Sequence, residues 1–231
     1  MGAFTQKATS FSDNIEECNA NIVNTKYLID NLPYLPKRFV FTSTIDVYSP
    51  SAPSPISEST FTMPGTMYGW SKLYCEEMLK VWAQANKVEL QILRLGHIYG
   101  RGEGAYQKLI PITIKNIING KALELVTVGR ERRAFMHVSD CCQMIVSSVL
   151  SNSTETVNIV SEHSRSVKEI MRLLLIVASS ELEIKISDNP VKGRDVDFDA
   201  SKMVHLFGSE QVDLESGLRD EYEYFLSEAK Q

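Results

Sequence analysis

The sequence predicts an α/β fold in which a mainly parallel sheet is covered by helices. Short runs rich in β-branched and aromatic residues alternate along the chain with longer segments of helical periodicity. The run Arg38–Thr44 reads as a strand buried in such a sheet. With 231 residues, 43% of them hydrophobic, the chain can build a sizeable core without disulfide or metal staples.

The elements follow in order. Asp13 with Glu16 three residues on is a capping-box variant, and Ile15, Cys18, Ile22, Leu28 and Ile29 recur at helical spacing until Pro33. This predicts a helix over 13–32. Arg38–Thr44 reads as a buried strand, and a Ser/Pro-rich loop covers 49–64. From residue 66, Tyr74, Met78, Val81, Trp82 and Ala85 mark one face of a long helix ending near 86, followed by a strand over 88–95. The rhythm continues with a helix over 106–119, strands over 123–128 and 134–137, and a helix over 139–150. The last third carries a strand over 156–160, a helix over 166–180, a strand over 182–186, a short helix ending at Gly208 and an amphipathic helix from 214 to about 229. A boundary in the loop 100–105 divides residues 1–100, a sheet domain, from 101–231, a smaller α+β substrate-binding part from which some segments return to the sheet.

Composition excludes several function classes. The 24 Lys+Arg against 29 Asp+Glu give a net charge of -5, with no basic run to bind nucleic acid or an anionic membrane. The longest apolar stretch, 171–178, is too short to span a bilayer. The N-terminal residues show neither a signal-peptide pattern nor, with Gln6, a myristoylation site. Cys18, Cys75, Cys141 and Cys142 form no CxxC pair and read as reduced core thiols of a cytoplasmic protein, not as metal ligands. A small-molecule substrate or a protein partner is expected.

Chemistry is carried by Tyr68 and Lys72, four apart and so on one helix face. A phenol titrating near 10 needs a shift of roughly 3 pH units, about 4 kcal/mol, to act near neutrality, and a fixed ammonium one turn away shifts it in that direction. Thr44 adds a hydroxyl at the carboxyl end of the strand Arg38–Thr44, where open α/β sheets bind ligands. Alone, such a Tyr/Lys pair is a weak signal, and its ordinary reading is a solvated helix face.

Other segments reinforce it. At this point the chain resembles the extended short-chain dehydrogenase/reductase family, the NAD(P)-dependent nucleotide-sugar epimerases and dehydratases. Asn21-Ile-Val-Asn-Thr25 is similar to the family's N-x-x-G-T helix, with Asn24 in place of glycine. Phe39-Val-Phe-Thr-Ser-Thr-Ile-Asp-Val-Tyr48 is similar to F-V-x-x-S-S-x-x-V-Y, and Tyr68 and Lys72 fall on Y-x-x-x-K. Leu93-Arg-Leu-Gly-His-Ile-Tyr-Gly-Arg-Gly102 resembles L-R-x-x-N-V-Y-G-P-G, with His97 for Asn and Arg101 for Pro. Lys108-Leu-Ile-Pro111 resembles the substrate-loop segment, and Arg133-Ala-Phe-Met-His-Val-Ser-Asp140 is similar to R-D-F-x-H-V-x-D. Val157-Asn-Ile159 with Ser166-Val167, and Gly193-Arg194-Asp195, complete the series.

The resemblance implies a partial Rossmann-like sheet and a set of roles. Thr44, Tyr68 and Lys72 are the implied catalytic residues. Thr42, Tyr68, Lys72 and Leu95 face NAD or NADP. Thr44, His97, Lys108, Arg133 and Arg194 face a nucleotide-diphosphate sugar, with the two arginines clamping the diphosphate. Dehydration is disfavoured, because dehydratases follow the Thr with Asp and Glu where this chain has Ile45 and Asp46. A homodimer through the helices 13–32 and 66–86 is expected.

One part of the family pattern is missing. The resemblance starts at Met1-Gly2-Ala3, which looks like the end of the fourth strand, so roughly 70–80 residues, about two βαβ units with the pyrophosphate site, have no counterpart. Gly100-Arg-Gly-Glu-Gly-Ala105 nominally fits G-x-G-x-x-A but overlaps the substrate loop, and no acidic residue on a second βαβ strand follows. Arg38–Thr44 is then expected to be an edge strand. Two functions stay open: an NAD(P)-dependent epimerase or reductase, and an inactive sugar-nucleotide-binding or assembly module.

Overall fold

The structure, a computed structural model, describes residues 15–210 and 212–229. Helix α1 (Ile15–Asp30) leads into β1 (Arg38–Thr44), α2 (Met67–Asn86) and β2 (Glu89–Leu95). Strands β1 and β2 run parallel in unbroken register from Arg38↔Glu89 to Thr44↔Leu95, with α2 as the crossover. Parallel pairing requires such a connection, because the chain must return to the starting end. Strand β6 (Thr156–Ile159) adds on the other side of β2, so the order is β1-β2-β6 and β1 is an edge among the described residues, as expected.

Helix α2 has sharp ends. Thr66 caps its start, accepting a hydrogen bond from the Gly69 N–H at 3.1 Å, and Lys87 closes it in the left-handed region with φ 56°. Its inner face buries Cys75, Leu79 and Ala83, while the Trp82 ring meets Phe39 edge-on at 5.5 Å. α1 packs alongside through polar contacts: Asn21 Nδ2 donates to Ser71 Oγ at 3.2 Å.

The second half builds two further small sheets. β3 (His97–Tyr99) pairs in parallel with β5 (Arg132–His137), which pairs antiparallel with β7 (Ser164–Ser166). β4 (Leu123–Thr127) pairs in parallel with β8 (Ile184–Val191). Helices α3 (Leu109–Ile118), α4 (Val138–Leu150), α5 (Val167–Val177), α6 (Ser201–Phe207) and α7 (Leu214–Glu228) cover them. One apolar cluster joins Val47, Leu93, Val157, Ile159, Met136, Met144 and Met203 beneath the first sheet. The other joins Ile110, Ile114, Leu123, Ile170, Leu174 and Leu218 between α3, α5 and α7. Each fully buried aliphatic side chain stabilises its cluster by about 1.5–3 kcal/mol.

Several boundaries differ from those read in the sequence, each for a local reason. The helix expected at 106 starts at Leu109, because residues 103–105 form a separate 3-10 turn and Lys108 takes the cap position. The strand expected over 123–128 stops at Thr127, whose hydroxyl accepts from the Gly129 N–H at 3.0 Å and turns the chain. The strand expected over 182–186 spans Ile184–Val191 because β4 gives it a partner. β3 and β7 were absent from the sequence reading: three residues carry too little periodicity to register. The Asp13 cap and the Met1-Gly2-Ala3 match lie outside the described residues.

Candidate active site

The site forms at the carboxyl end of β1. There the Thr44 hydroxyl accepts from the Asp46 N–H at 3.2 Å and starts a 3-10 turn over Ile45–Val47. The first turn of α2 lies directly against this turn, which Gly69 permits: a β-carbon there would overlap the Asp46 carbonyl oxygen and sit 2.9 Å from Pro64 Cβ. That approach brings the Tyr68 hydroxyl into hydrogen-bond contact with Thr44. One turn along α2, Lys72 is buried, donates to the Thr42 carbonyl at 2.7 Å and lies 4.3 Å from the centre of the Phe41 ring.

The electrostatics depart from one expectation. Tyr68 is pushed up to about 12 by burial and by the Asp46 carboxylate, with the Thr44 hydrogen bond acting in the opposite direction. The Lys72 ammonium is turned onto the Thr42 carbonyl and Phe41, and the net shift of Tyr68 is upward. Burial also lowers Lys72, against smaller contributions from Cys75 and Glu76 that raise it. In the resting protein Tyr68 is therefore a neutral phenol at neutral pH.

The remaining candidates surround this centre. His97, on β3, stacks at a tilt on Phe135 with centroids 5.5 Å apart. Burial, then Arg133 and Lys108, push it down to about 4, so it is a neutral imidazole. Lys108 pairs with Glu103 at 2.7 Å and lowers the carboxyl of Asp46, which burial raises. Arg133 donates to the Arg194 carbonyl at 2.6 Å and to the Arg132 carbonyl at 2.8 Å, and the Arg194 guanidinium donates to the Ala52 carbonyl. Both guanidiniums rest on backbone carbonyls, and neither forms an ion pair among the described residues. Leu95 ends β2 opposite Thr44 in register.

The sequence reading missed Asp46 as a member of the site. It entered only as a departure from the dehydratase pattern, yet the turn Ile45–Val47 brings its carboxylate close enough to raise Tyr68. Its spacing two residues after Thr44 was the available signal. Among the described residues no group of three or more His, Cys, Asp or Glu side chains could hold a metal ion.

A dinucleotide finds only part of its site among the described residues. Thr42, exposed at the open edge of β1, together with Tyr68, Lys72 and Leu95, offers groups for a nicotinamide ribose. No pyrophosphate cradle accompanies them: the glycine cluster after β3 runs from Gly102, φ 95°, into a three-residue 3-10 turn, not into the N-terminus of an α-helix.

Comparison with known proteins identifies the family. The sequence model of the NAD dependent epimerase/dehydratase family matches residues 1–160. The chain belongs to that family. It is 31% identical over 156 residues to an uncharacterized UDP-glucose epimerase of Bacillus subtilis strain 168, covering 65% of this chain and 48% of the relative. It is 28% identical over 178 residues to a UDP-N-acetyl-alpha-D-glucosaminuronate decarboxylase of Bacillus cytotoxicus, covering 74% and 55%. Among solved structures, UDP-glucuronic acid 4-epimerase from Bacillus cereus, in complex with UDP-glucuronic acid and NAD, superposes with a TM-score of 0.84 at 24% identity, covering 97% of this chain and 73% of that one. The family's Rossmann-like fold is thus present, and the chain spans about half the length of the curated relatives it matches.

Proposed function

We propose that this chain carries the sugar-binding and acid–base part of an NAD(P)-dependent nucleotide-sugar epimerase or reductase. The observation that carries the reading is the contact between the Thr44 and Tyr68 hydroxyls with Lys72 one turn behind. Two hydroxyls converging on one point can share the proton of a third, that of a sugar carbinol. Tyr68 would exchange that proton, and Thr44 would orient the hydroxyl so that its carbon presents its hydrogen correctly. NAD or NADP, when bound, supplies the hydride acceptor.

The chain's own residues account for the rest. A Tyr68 held near 12 readily returns a proton to a nascent alkoxide but gives up its own reluctantly, so loss of the proton depends on positive charge drawn close, and Lys72, one turn along α2, is a cation that could supply it. Arg133 and Arg194 would hold the diphosphate bidentately, letting remote binding energy place the sugar at Tyr68. Neutral His97 beside Lys108 would offer hydrogen bonds to the sugar without adding charge. A homodimer through α1 and α2 fits the exposed Val23, Tyr27, Trp70, Tyr74 and Val81 on those two helices. A fold-matched relative solved with UDP-glucuronic acid and NAD supports the substrate and cofactor class.

The test is a pair of measurements with UDP-glucose as the probe. Calorimetry on the wild type and Tyr68→Phe should show binding in both, whereas reduction of added NAD, followed at 340 nm, should vanish in the variant. Absence of binding defeats the reading as a whole. Binding with equal turnover in both proteins defeats the acid–base role of Tyr68.

A further inference from the structure

The cations expected to face the substrate are of two kinds. Arg133 and Arg194 rest on backbone carbonyls, so both keep their charge for an anion. Lys108 does not: its Nζ meets Glu103 Oε1 at 2.7 Å, and its ammonium lies 4.8 Å from the centre of the Tyr106 ring. The Glu103 side chain is 11% exposed and that of Lys108 50%, so the carboxylate is the buried member of the pair and the ammonium the accessible one.

Glu103 is fixed where it stands. It opens the 3-10 turn Glu103–Ala105, which the chain enters through Gly102 at φ 95°. That turn is pinned from two sides: Lys115 of α3 donates to the Gly104 carbonyl at 2.6 Å, and Arg101 Nε donates to both carboxylate oxygens of Asp220 on α7, at 2.9 and 3.1 Å. Burial raises the Glu103 carboxyl, while the hydrogen bond and charge of Lys108 act against that rise. A carboxylate so placed retains its ammonium, because drawing the partner away leaves an unpaired charge out of water. Lys108 therefore offers hydrogen bonds without net charge. Asp46, exposed on the turn after β1 with its N–H on the Thr44 hydroxyl, adds a negative side chain beside the same centre.

We infer that Glu103 is a specificity-determining residue: by neutralising Lys108 it fits the sugar end of the site to an uncharged hexose and against a uronic acid, whose C6 carboxylate would meet Asp46 and no free cation. This rests on the proposed function, which places Lys108 at the sugar. The two arginines serve the diphosphate of either ligand alike, so the difference between the ligands isolates the sugar.

Calorimetry at neutral pH and about 50 mM NaCl compares UDP-glucose with UDP-glucuronic acid. The wild type should bind UDP-glucose about tenfold or more tightly than the uronic acid, and in Glu103→Gln the freed ammonium should tighten the uronic acid enough to bring the two within about threefold. Glu103→Gln/Lys108→Met, lacking both charges, should restore the wild-type gap; a gap that stays closed there reports a reshaped turn and overturns the inference. Equal affinities in the wild type, or a gap untouched by Glu103→Gln, overturn it as well. Should Glu103→Gln fail to fold, the wild type carries the test alone. Raising NaCl to about 500 mM should narrow its gap, since the ligands differ only at C6, and a gap indifferent to salt is equally fatal. Binding of neither ligand defeats the proposed function, whereas binding of both without the gap defeats this inference only.

Discussion

Gly69 of α2 lies against the Asp46 carbonyl so closely that no side chain fits between them. The turn after β1 and the first turn of α2 touch backbone to backbone at this point. The contact between Thr44 and Tyr68 depends on it.

Gly69→Ala should therefore separate the two hydroxyls. Alanine gains about 1 kcal/mol of helix propensity over glycine, but overlap with backbone costs about 1–3 kcal/mol and reaches the site as a displacement of α2. The expected outcome is a melting temperature lowered by a few degrees together with loss of turnover. A raised melting temperature with unchanged turnover would show that α2 can shift without disturbing the centre.

A second prediction concerns Glu221 on α7, 0% exposed and without a hydrogen-bond partner of normal geometry for either carboxylate oxygen. Burial, with Glu103 and Asp220 adding to it against Lys108 and the Gly100 N–H, raises it to about 8. The folded state then keeps a proton that the unfolded chain loses near 4.5, so stability falls as pH rises from about 4.5 to 8 and is flat beyond. Glu221→Gln should remove that decline. Thermal melts should show the variant about 5 °C or more above the wild type at pH 9, with the gap closing toward pH 5. Parallel curves for the two proteins would contradict it.

His97 gives the opposite sign. Held down at about 4, it is neutral in the folded state while the unfolded chain takes up a proton near 6.5. Its contribution is complete above about 6.5 and is lost as pH falls toward 4. The His97 imidazole Cε1 proton, followed by NMR and assigned with His97→Asn, should show no titration between pH 5.5 and 8. A midpoint near 6.5 would mean that the imidazole is solvated and not packed on Phe135.

Much of this was legible in residue order. Arg38–Thr44 and the long helix ending at Asn86 were readable because strong periodicity is a local property. Tyr68, Lys72 and Thr44 were readable because their spacing relative to one strand and one helix is short. Asp46 was not, since its place in the site depends on a 3-10 turn that only Thr44 capping and the approach of α2 create. The direction of the Tyr68 shift was misread for a related reason: helical spacing puts Lys72 on the same face, but a competing acceptor, the Thr42 carbonyl, decides where its ammonium points.

What the sequence by itself determined is the alternation of strands and helices, written in local spacing and side-chain type, and the family, written in a series of short motifs. The tertiary structure alone decided the charge environment. Burial and pairing between elements set it, bringing Asp46 to Tyr68, Glu103 to Lys108 and Arg94 to Glu76 across gaps of up to 22 residues, where no local pattern foretells which charges will meet.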